Sequence, residues 1–237
     1  MESLFRYVAP PSQCGYLPDQ AWRLEYEMVR AMTPAEYLQR MLHGWRRFGD
    51  TLFRPRCTAC TACRSLRIVA DQFRPDRSQR RLRRANQGVI QLRIAPPAAS
   101  RKKLELYDRY HAYQAEAKGW PQHQPKDVSS YVQSFVSNPF PTQEWSYYWQ
   151  NRLVGVGYVD DVPGGLSAIY FFYDPEARRH ALGTWNVLCL LEQAAARRLP
   201  HVYLGYYIDG CPSMAYKARF RPNQLLGPDG QWHDFQT

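Results

Sequence analysis

Three of the six cysteines lie close together in the segment Cys57-Thr-Ala-Cys60-Thr-Ala-Cys63. Thiolates are soft ligands, and two-residue spacers let neighbouring sulfur atoms converge on one metal ion. Cys14 is the candidate for a further ligand. These residue types suit a structural zinc ion or an iron–sulfur cluster, which uses the same ligands. The alternative is unligated thiols packed in a tight loop, since a free cysteine behaves as a small apolar side chain.

A second cluster is cationic and lies in a segment for which we predict a helix over residues 77–87, with Ser78 as its N-cap. Its six arginines fall within eleven residues and are Arg74, Arg77, Arg80, Arg81, Arg83 and Arg84. On a helix Arg77, Arg80, Arg81 and Arg84 share one face, which suits contact with a phosphate backbone. A solvated charged face is the simpler alternative.

A third candidate is an aromatic and polar loop that follows a strand predicted over residues 201–208. It carries Tyr206, Asp209, Lys217, Arg219 and Arg221. In an extended segment the three alternating cations point to one side, where they suit a carboxylate. Asp209 suits the orientation or deprotonation of an amine. The alternative is aromatic side chains in the core and charges on an exposed strand face.

The charge of the chain is unevenly distributed. Residues 1–100 hold 17 basic and 8 acidic residues, whereas the rest of the chain holds 14 and 13, within a net charge of +10. The basic residues of the first part are arginines, which suit bidentate phosphate contacts. This asymmetry favours a polyanionic partner on one side of the molecule. A charge that serves only solubility is the alternative.

Length and composition are those of a soluble globular protein. The chain has 237 residues, of which 45% are hydrophobic and 22% charged, so disordered, collagen-like and coiled-coil classes fit poorly. No apolar run approaches the roughly 20 residues of a membrane span. The N-terminus lacks the pattern of a secretory signal. We therefore expect a cytoplasmic protein with no membrane partner.

The elements that must position these residues follow from the sequence pattern. We predict helices over residues 34–43, 101–117, 127–137 and 185–198, and strands over 44–54, 64–70, 144–150, 152–159 and 166–173. The strand at 166–173, an arginine-rich loop, a helix that begins near Gly183 and Thr184, and the strand at 201–208 predict a mixed sheet with a parallel crossover. A helix N-terminus in this place suits an anion. The same order occurs in the acyltransferase fold that acylates amines.

In the order and spacing of short motifs, the sequence resembles the bacterial arginyl/leucyl-tRNA–protein transferases. The matching pieces are Cys14-Gly-Tyr-Leu-Pro18, Arg54-Pro55, the Cys57/Cys60/Cys63 run with Arg64-Ser-Leu-Arg67-Ile, Phe73-Arg-Pro-Asp-Arg77-Ser-Gln-Arg80-Arg81, Tyr173-Asp-Pro, Leu182-Gly183-Thr184, Tyr203-Leu-Gly-Tyr-Tyr-Ile208, Met214, Tyr216-Lys217-Ala218 and Arg221-Pro222. They cover almost the whole chain. Leu17 stands where the eukaryotic arginyl-transferases have a cysteine, which favours the bacterial, typically leucyl-transferring branch. Cys211-Pro212 instead looks like the arginyl-transferring branch.

The resemblance implies the transfer of an amino acid from aminoacyl-tRNA to the N-terminal Asp or Glu of an acceptor protein, which creates a degradation signal of the N-degron pathway. Leucine is the favoured donor and arginine the alternative. It also implies an α+β fold in which a small Cys-containing N-terminal domain, residues 1–95, packs on a GNAT-like acyltransferase mixed-sheet domain, residues 96–237. No cofactor is required for the chemistry, because the aminoacyl ester is already activated.

Within this scheme each cluster receives a predicted role. We place Tyr206 and Asp209 at the reacting centre, and Lys217 and Arg219 at the acceptor carboxylate. The predicted tRNA contacts are Arg74, Arg77, Arg80, Arg81, Arg84, Gly183 and Thr184, and the predicted metal ligands are Cys14, Cys57, Cys60 and Cys63. Two alternatives remain at this point, an acetyl-CoA-dependent N-acetyltransferase and a non-enzymatic, zinc-containing RNA-binding module.

Overall fold

The computed structural model describes residues 1–235 of the chain. The helices are α1 Pro34–Leu42, α2 Arg77–Asn86, α3 Arg101–Lys118, α4 Val128–Tyr131, α5 Leu182–Ala196 and α6 Pro212–Ala215. The strands are β1 Glu2–Val8, β2 Ser12–Gln13, β3 Ala21–Trp22, β4 Leu24–Ala31, β5 Arg46–Phe48, β6 Thr51–Pro55, β7 Arg64–Val69, β8 Ile90–Ala95, β9 Thr142–Trp149, β10 Arg152–Val162, β11 Gly165–Tyr173, β12 His201–Tyr207, β13 Asn223–Leu226 and β14 Trp232–Asp234. A π-helical turn, Val132–Val136, extends α4, and two 3₁₀ turns cover Pro175–His180 and Tyr216–Arg219.

The strands form one large mixed sheet and two smaller sheets. The large sheet has eight strands in the order β14-β13-β7-β12-β11-β10-β9-β8, and the second has four in the order β1-β4-β6-β5. In the large sheet β11 and β12 run parallel, joined by α5, whereas the other recorded pairs are antiparallel. The predicted α+β class with a mixed sheet and a parallel crossover is therefore confirmed. The separate Cys-containing domain and the GNAT-like fold stay predictions.

The large sheet takes strands from both sides of residue 95, at which we divided the chain. β7 lies between β12 and β13, and β8 forms an edge beside β9. Hydrophobic periodicity located β7, but it did not reveal β1, β4, β8, β13 or β14. The division into two domains stays a prediction, since strand pairing by itself does not define independently folding units.

Helix α2 begins at the predicted residue but has a different cap. The carboxylate of Asp76 accepts the backbone N–H of Gln79, and the Gln79 side chain accepts the backbone N–H of Asp76. This capping box replaces the predicted Ser78 cap, because the residue before the first helical turn is the one whose side chain reaches the free N–H groups. The hydroxyl of Ser78 donates to Asp76 instead.

The single strand predicted over residues 44–54 is a hairpin of β5 and β6. The chain reverses at Gly49, whose φ is +58°. A Cβ atom at this position would lie 2.3 Å from the carbonyl oxygen of Gln133 in the π-helical turn. Glycine is therefore required both by the left-handed backbone and by the close approach of another segment.

Both faces of the large sheet are covered. One face packs against α5 and α2 around residues such as Leu66, Val202 and Leu190. The other face packs against α3 and the π-helical turn, with Phe135, Tyr158 and Phe172 at the centre, and against α1 and the four-stranded sheet. Among residues 1–235, no helix is both long and apolar enough to cross a membrane.

A buried ion pair connects the four-stranded sheet to the large sheet. Arg47 of β5 donates to both carboxylate oxygens of Asp160 in β10, at 2.7 and 2.5 Å. The same guanidinium donates to the carbonyl of Gly49, the amide oxygen of Asn138 and the hydroxyl of Thr142. The side chains of the ion pair are 1% and 0% exposed, so this network is shielded from water.

We expect Asp160→Asn to lower the free energy of unfolding by about 3–5 kcal/mol, because it leaves a buried guanidinium without its counter-charge. The matched control is Asp161→Asn, which removes a half-exposed ion pair with Arg197 and is expected to cost less than about 1 kcal/mol. Urea unfolding followed by circular dichroism measures both. Equal losses in the two variants would contradict a connecting role for Arg47–Asp160.

Candidate active site and basic surface

The parallel strands β11 and β12 separate along their length. Their recorded pairing covers Gly165–Ser167 with His201–Tyr203. The rest of β11, residues 168–173, and of β12, residues 204–207, has no recorded strand partner across this boundary in the described chain. We name the gap between these ends the strand opening. Between these ends the two strands do not pair, and the carbonyl of Tyr206 accepts from the side chain of Lys217 instead, which makes the opening a candidate site.

Tyr206 lies in β12 beside the strand opening. Its hydroxyl donates to the carbonyl oxygens of Gly44 at 2.7 Å and Phe53 at 3.3 Å. Burial raises the pKa of this phenol above its usual value. The hydroxyl thus joins β12 to the N-terminal part of the chain, and the predicted catalytic role of Tyr206 stays a prediction.

Tyr206 also lines a cleft of about 550 Å³. Its walls include Cys14, Cys57, Cys60 and Cys63, so the fold brings together the four cysteines that the sequence singled out. Cys14 accepts the backbone N–H of Tyr16 at 3.5 Å, and Cys57 accepts that of Arg23 at 3.4 Å. We name this cavity the cysteine cleft.

The cysteines do not form a metal site as they stand. All six are free thiols, and no group of three or more His, Cys, Asp or Glu side chains within residues 1–235 is arranged to hold a metal ion. Burial, followed by the charges of the neighbouring cysteines, raises the pKa of Cys63 to about 12. A metal binds the thiolate form of cysteine, so its binding would release the thiol protons. The zinc or iron–sulfur hypothesis stays a prediction.

Lys217 and Arg219 lie apart, which contradicts the predicted extended segment. They belong to the 3₁₀ turn Tyr216–Arg219. With three residues per turn, side chains two residues apart point in different directions. Lys217 is buried and donates to the carbonyl of Tyr206 at 2.5 Å. Arg219 is exposed and donates to the hydroxyl of Ser78 at the start of α2.

Asp209 lies in the exposed turn after β12, where its carboxylate accepts the backbone N–H of Gly210. Its charge contributes to a raised pKa of Tyr207, for which burial is the main cause. Tyr207 packs in the core on the α5 side of the sheet. Alternation along β12 puts Tyr206 on the opposite face. Tyr206 and Tyr207 therefore point to opposite faces of the sheet, and the catalytic roles of Tyr206 and Asp209 stay predictions.

The predicted arginine face of α2 is exposed. We define the basic surface as the exposed side chains of Arg74, Arg77, Arg80, Arg81 and Arg84. Inward-facing Gln79 and Asn86 hold the helix in place through hydrogen bonds to the carbonyls of Arg219 and His180. Arg83, which lies off this face, pairs with Glu192 of α5. The fold therefore presents the arginines outward, beside the segment that precedes α5.

The N-terminus of α5 is open. No side chain caps it, and a Cβ atom at Gly183 would meet nothing within 4 Å. Thr184 follows at a half-buried position. The free N–H groups of the first turn and the helix dipole favour an anion here. Arg179, in the 3₁₀ turn just before α5, stacks on Trp149 at 4.3 Å and adds a positive charge nearby.

Arg46 is a buried cation that the sequence patterns did not single out. It precedes Arg47 in β5, is 5% exposed, and has its guanidinium 5.5 Å from the centre of the Tyr206 ring. The sequence feature that predicts a buried arginine here is the pair Arg46-Arg47 inside the aromatic segment Trp45–Phe48. Because successive strand residues face opposite sides, at least one of the two arginines must point inward.

We expect Lys217 to make the stability of the protein rise with pH. Burial and then the charge of Arg46 lower its pKa to about 7, from 10.5 in an unfolded chain. Between these values the unfolded chain binds a proton that the folded chain does not, so unfolding becomes less favourable as pH increases. Lys217→Met removes this dependence.

Urea unfolding at pH 7, 8 and 9 measures the effect. The stability advantage of Lys217→Met over wild type should fall by up to about 1.4 kcal/mol per pH unit. Lys118→Met, which replaces an exposed lysine at the end of α3, is the control and should show a constant difference. A constant difference for Lys217→Met as well would mean that Lys217 titrates like a solvated lysine.

Comparison with known proteins places the chain in a family. The model described as "Arginine-tRNA-protein transferase, N terminus" matches residues 12–81, and "Arginine-tRNA-protein transferase, C terminus" matches residues 102–227. An L-PGS structure from Bacillus licheniformis covers 73% of this chain and 50% of its own, at 11% identity and a TM-score of 0.45, which is too distant to support an argument.

Curated relatives match along most of their length. The aspartate/glutamate leucyltransferase of Marinobacter nauticus is 35% identical, over 100% of this chain and 98% of its own. That of Nitrosococcus oceani is 36% identical over 95% and 94%, and that of Campylobacter jejuni 34% over 90% and 89%. On these matches, the chain belongs to the arginine-tRNA-protein transferase family.

Proposed function

We propose that this protein transfers an amino acid from aminoacyl-tRNA to the N-terminal amine of proteins that begin with Asp or Glu. Leucine is the proposed donor, with arginine as the alternative. The observation that carries the proposal is the full-length match to relatives named aspartate/glutamate leucyltransferase, such as the one at 35% identity. The product carries a new N-terminal residue, which we propose acts as a degradation signal.

The reaction suits a site that positions two substrates. The acceptor amine attacks the ester carbonyl carbon, a C–N bond forms, and the C–O bond to the terminal ribose breaks as the tRNA leaves with its hydroxyl. The ester is already activated, so no covalent enzyme intermediate is needed. The protein must hold the amine near the carbonyl, accept a proton from it, and stabilise the oxyanion.

We place the ester at the strand opening. The unpaired ends of β11 and β12 offer backbone N–H groups that can stabilise a developing oxyanion. Gly205, with φ of +74° and no atom within 4 Å of a would-be Cβ, leaves room for the substrate beside β12. Tyr206 and Asp209 are retained as proposed residues near this centre, and no step is assigned to a metal.

We place the tRNA on the basic surface. Arg77, Arg81 and Arg84 are exposed and, within residues 1–235, have no recorded hydrogen bond or ion pair to another side chain. Helix α2 contacts α5. The open N-terminus of α5, at Gly183 and Thr184, therefore lies near the basic surface. Exposed arginines that are not paired internally suit a phosphate backbone.

A transfer assay tests the proposal directly. Purified protein is mixed with peptides that begin with Asp, Glu or Ala, and with either Leu-tRNA or Arg-tRNA. We expect mass spectrometry to show leucine added to the Asp and Glu peptides and not to the Ala peptide. Addition from Arg-tRNA alone would change the donor to arginine. No addition from either tRNA by folded protein would overturn the proposed function.

The triple variant Arg77→Ala/Arg81→Ala/Arg84→Ala tests the tRNA surface. Each lost phosphate contact should lower the slope of log affinity against log salt by about 0.7–0.9, so we expect a total decrease of about 2. Fluorescence anisotropy with labelled tRNA at several salt concentrations measures it. The control is Arg101→Ala/Lys102→Ala, which removes two exposed cations at the start of α3. An unchanged slope in the triple variant would remove α2 from the interface.

A further inference from the structure

Two neighbouring arginines of β5 are both buried, but their surroundings differ. Arg47 forms the hydrogen-bond network with Asp160 described above. Arg46 is 5% exposed, and its one recorded hydrogen bond is from Nη1 to the carbonyl of Trp45 at 2.6 Å. Its Nε and Nη2 atoms are buried and have no hydrogen-bond partner. Arg46 is thus a buried cation whose remaining donors are not used.

Lys217 is a second buried basic side chain in the same neighbourhood. It is 7% exposed, and the charge of Arg46 acts on it directly. Neither side chain has a recorded ion pair with an acidic residue in the described chain. The charge of Arg46 lowers the pKa of Lys217 and that of Cys211 raises it, and the Lys217 amine donates to the carbonyl of Tyr206.

A buried guanidinium without a counter-charge, beside a basic amine, points to an anionic ligand. Leaving a charge buried without a counter-charge costs several kcal/mol, more than a fold retains without a compensating gain. A guanidinium with two free donors matches the two oxygens of a carboxylate. Ser65, which lies opposite Tyr206 in the β7–β12 ladder, adds a buried hydroxyl with no partner.

The position of the pair suits the acceptor. The Tyr206 ring contacts Arg46 and also lines the cysteine cleft, and the backbone of Tyr206, which accepts from Lys217, borders the strand opening. Arg46 is 5% exposed, so access of a carboxylate to it requires a movement of this ring or of the 3₁₀ turn Tyr216–Arg219. An acceptor residue bound in this way has its α-amine a few bonds from the carboxylate, close to the proposed position of the ester.

We propose that Arg46 and Lys217 together bind the side-chain carboxylate of the acceptor's N-terminal Asp or Glu. This assignment rests on the proposed function and makes Arg46 a specificity-determining residue. It replaces the predicted pairing of Lys217 with Arg219, which the 3₁₀ turn separates. Because the arriving anion stabilises the charged form of Lys217, binding is accompanied by the uptake of one proton from solvent.

Isothermal titration calorimetry without tRNA tests this subsite. The ligands are the C-terminally amidated dipeptides Asp-Ala and Asn-Ala, which differ only in the side-chain carboxylate. Wild type should bind Asp-Ala about tenfold more tightly or better, since hydrogen bonds between charged groups are the strong ones. Titrations at pH 8 in buffers of different ionisation enthalpy should show about one more proton taken up with Asp-Ala than with Asn-Ala.

Three variants locate the effect. Arg46→Met and Lys217→Met should each lose the preference for Asp-Ala, and Lys217→Met should also lose the proton uptake. Arg93→Met, which removes an exposed arginine of β8, should keep both. Near-ultraviolet circular dichroism checks the folding of each variant. If Arg46→Met does not fold, Lys217→Met decides the matter by the same criteria.

Equal binding of the two dipeptides to wild type, or no binding of Asp-Ala, would overturn the subsite. So would a folded Lys217→Met variant that keeps the preference and the proton uptake. These outcomes are separate from the transfer assay. Selective binding of Asp-Ala without transfer from any tRNA would leave the subsite standing and overturn the proposed function. Transfer to Asp peptides by a folded Arg46→Met variant at the wild-type rate would overturn the subsite and leave the proposed function standing.

Discussion

The ion pair between Arg47 and Asp160 is the contact on which the arrangement of the N-terminal region depends. It joins β5 of the four-stranded sheet to the C-terminal part of β10, with both side chains nearly inaccessible to water. Asp160 shares one face of β10 with Tyr158, which packs under α3, and with Val162, which packs under α1. The pair therefore holds two hydrophobic clusters and two sheets in register with each other. A pair with these hydrogen bonds fixes orientation, which apolar packing leaves less defined.

Strand β5 also carries Arg46, whose guanidinium has no ion pair within residues 1–235. Because successive residues of a strand face opposite sides, fixing Arg47 against Asp160 directs Arg46 toward Tyr206 and Lys217. Tyr206 is in turn held by the carbonyl of Gly44, which precedes this hairpin, and by that of Phe53 in β6. The contacts that attach the N-terminal region thus also bring a buried positive charge to the strand opening. Arg47, which attaches the N-terminal region, and Arg46, which we propose binds the acceptor, are therefore neighbours in β5.

The positive charge of the molecule is divided between two environments. The arginines of α2 are exposed, so salt screens them and they suit a polyanion that makes many weak contacts. Arg46 and Lys217 are buried, so salt screens them little and a single carboxylate interacts with them strongly. In the proposed reaction the tRNA uses the first environment and the acceptor the second. The two substrates therefore do not compete for the same cations, although both carry negative charge.

Local patterns in the sequence determined the helices α1, α2, α3 and α5, the order of the strands from β9 to β12, the exposed arginine face and the grouping of the cysteines. These features depend on contacts between residues close in the chain or on regular spacing. Only the tertiary structure decided the hairpin at Gly49, the separation of Lys217 from Arg219, and the burial of Arg46. The Gly49 turn is set by Gln133, and Arg46 lies under Tyr206, a residue far away in the chain. The sequence alone specifies an arginine, but whether it meets a carboxylate, like Arg47, or lies buried without one, like Arg46, depends on which distant residues the fold brings to it.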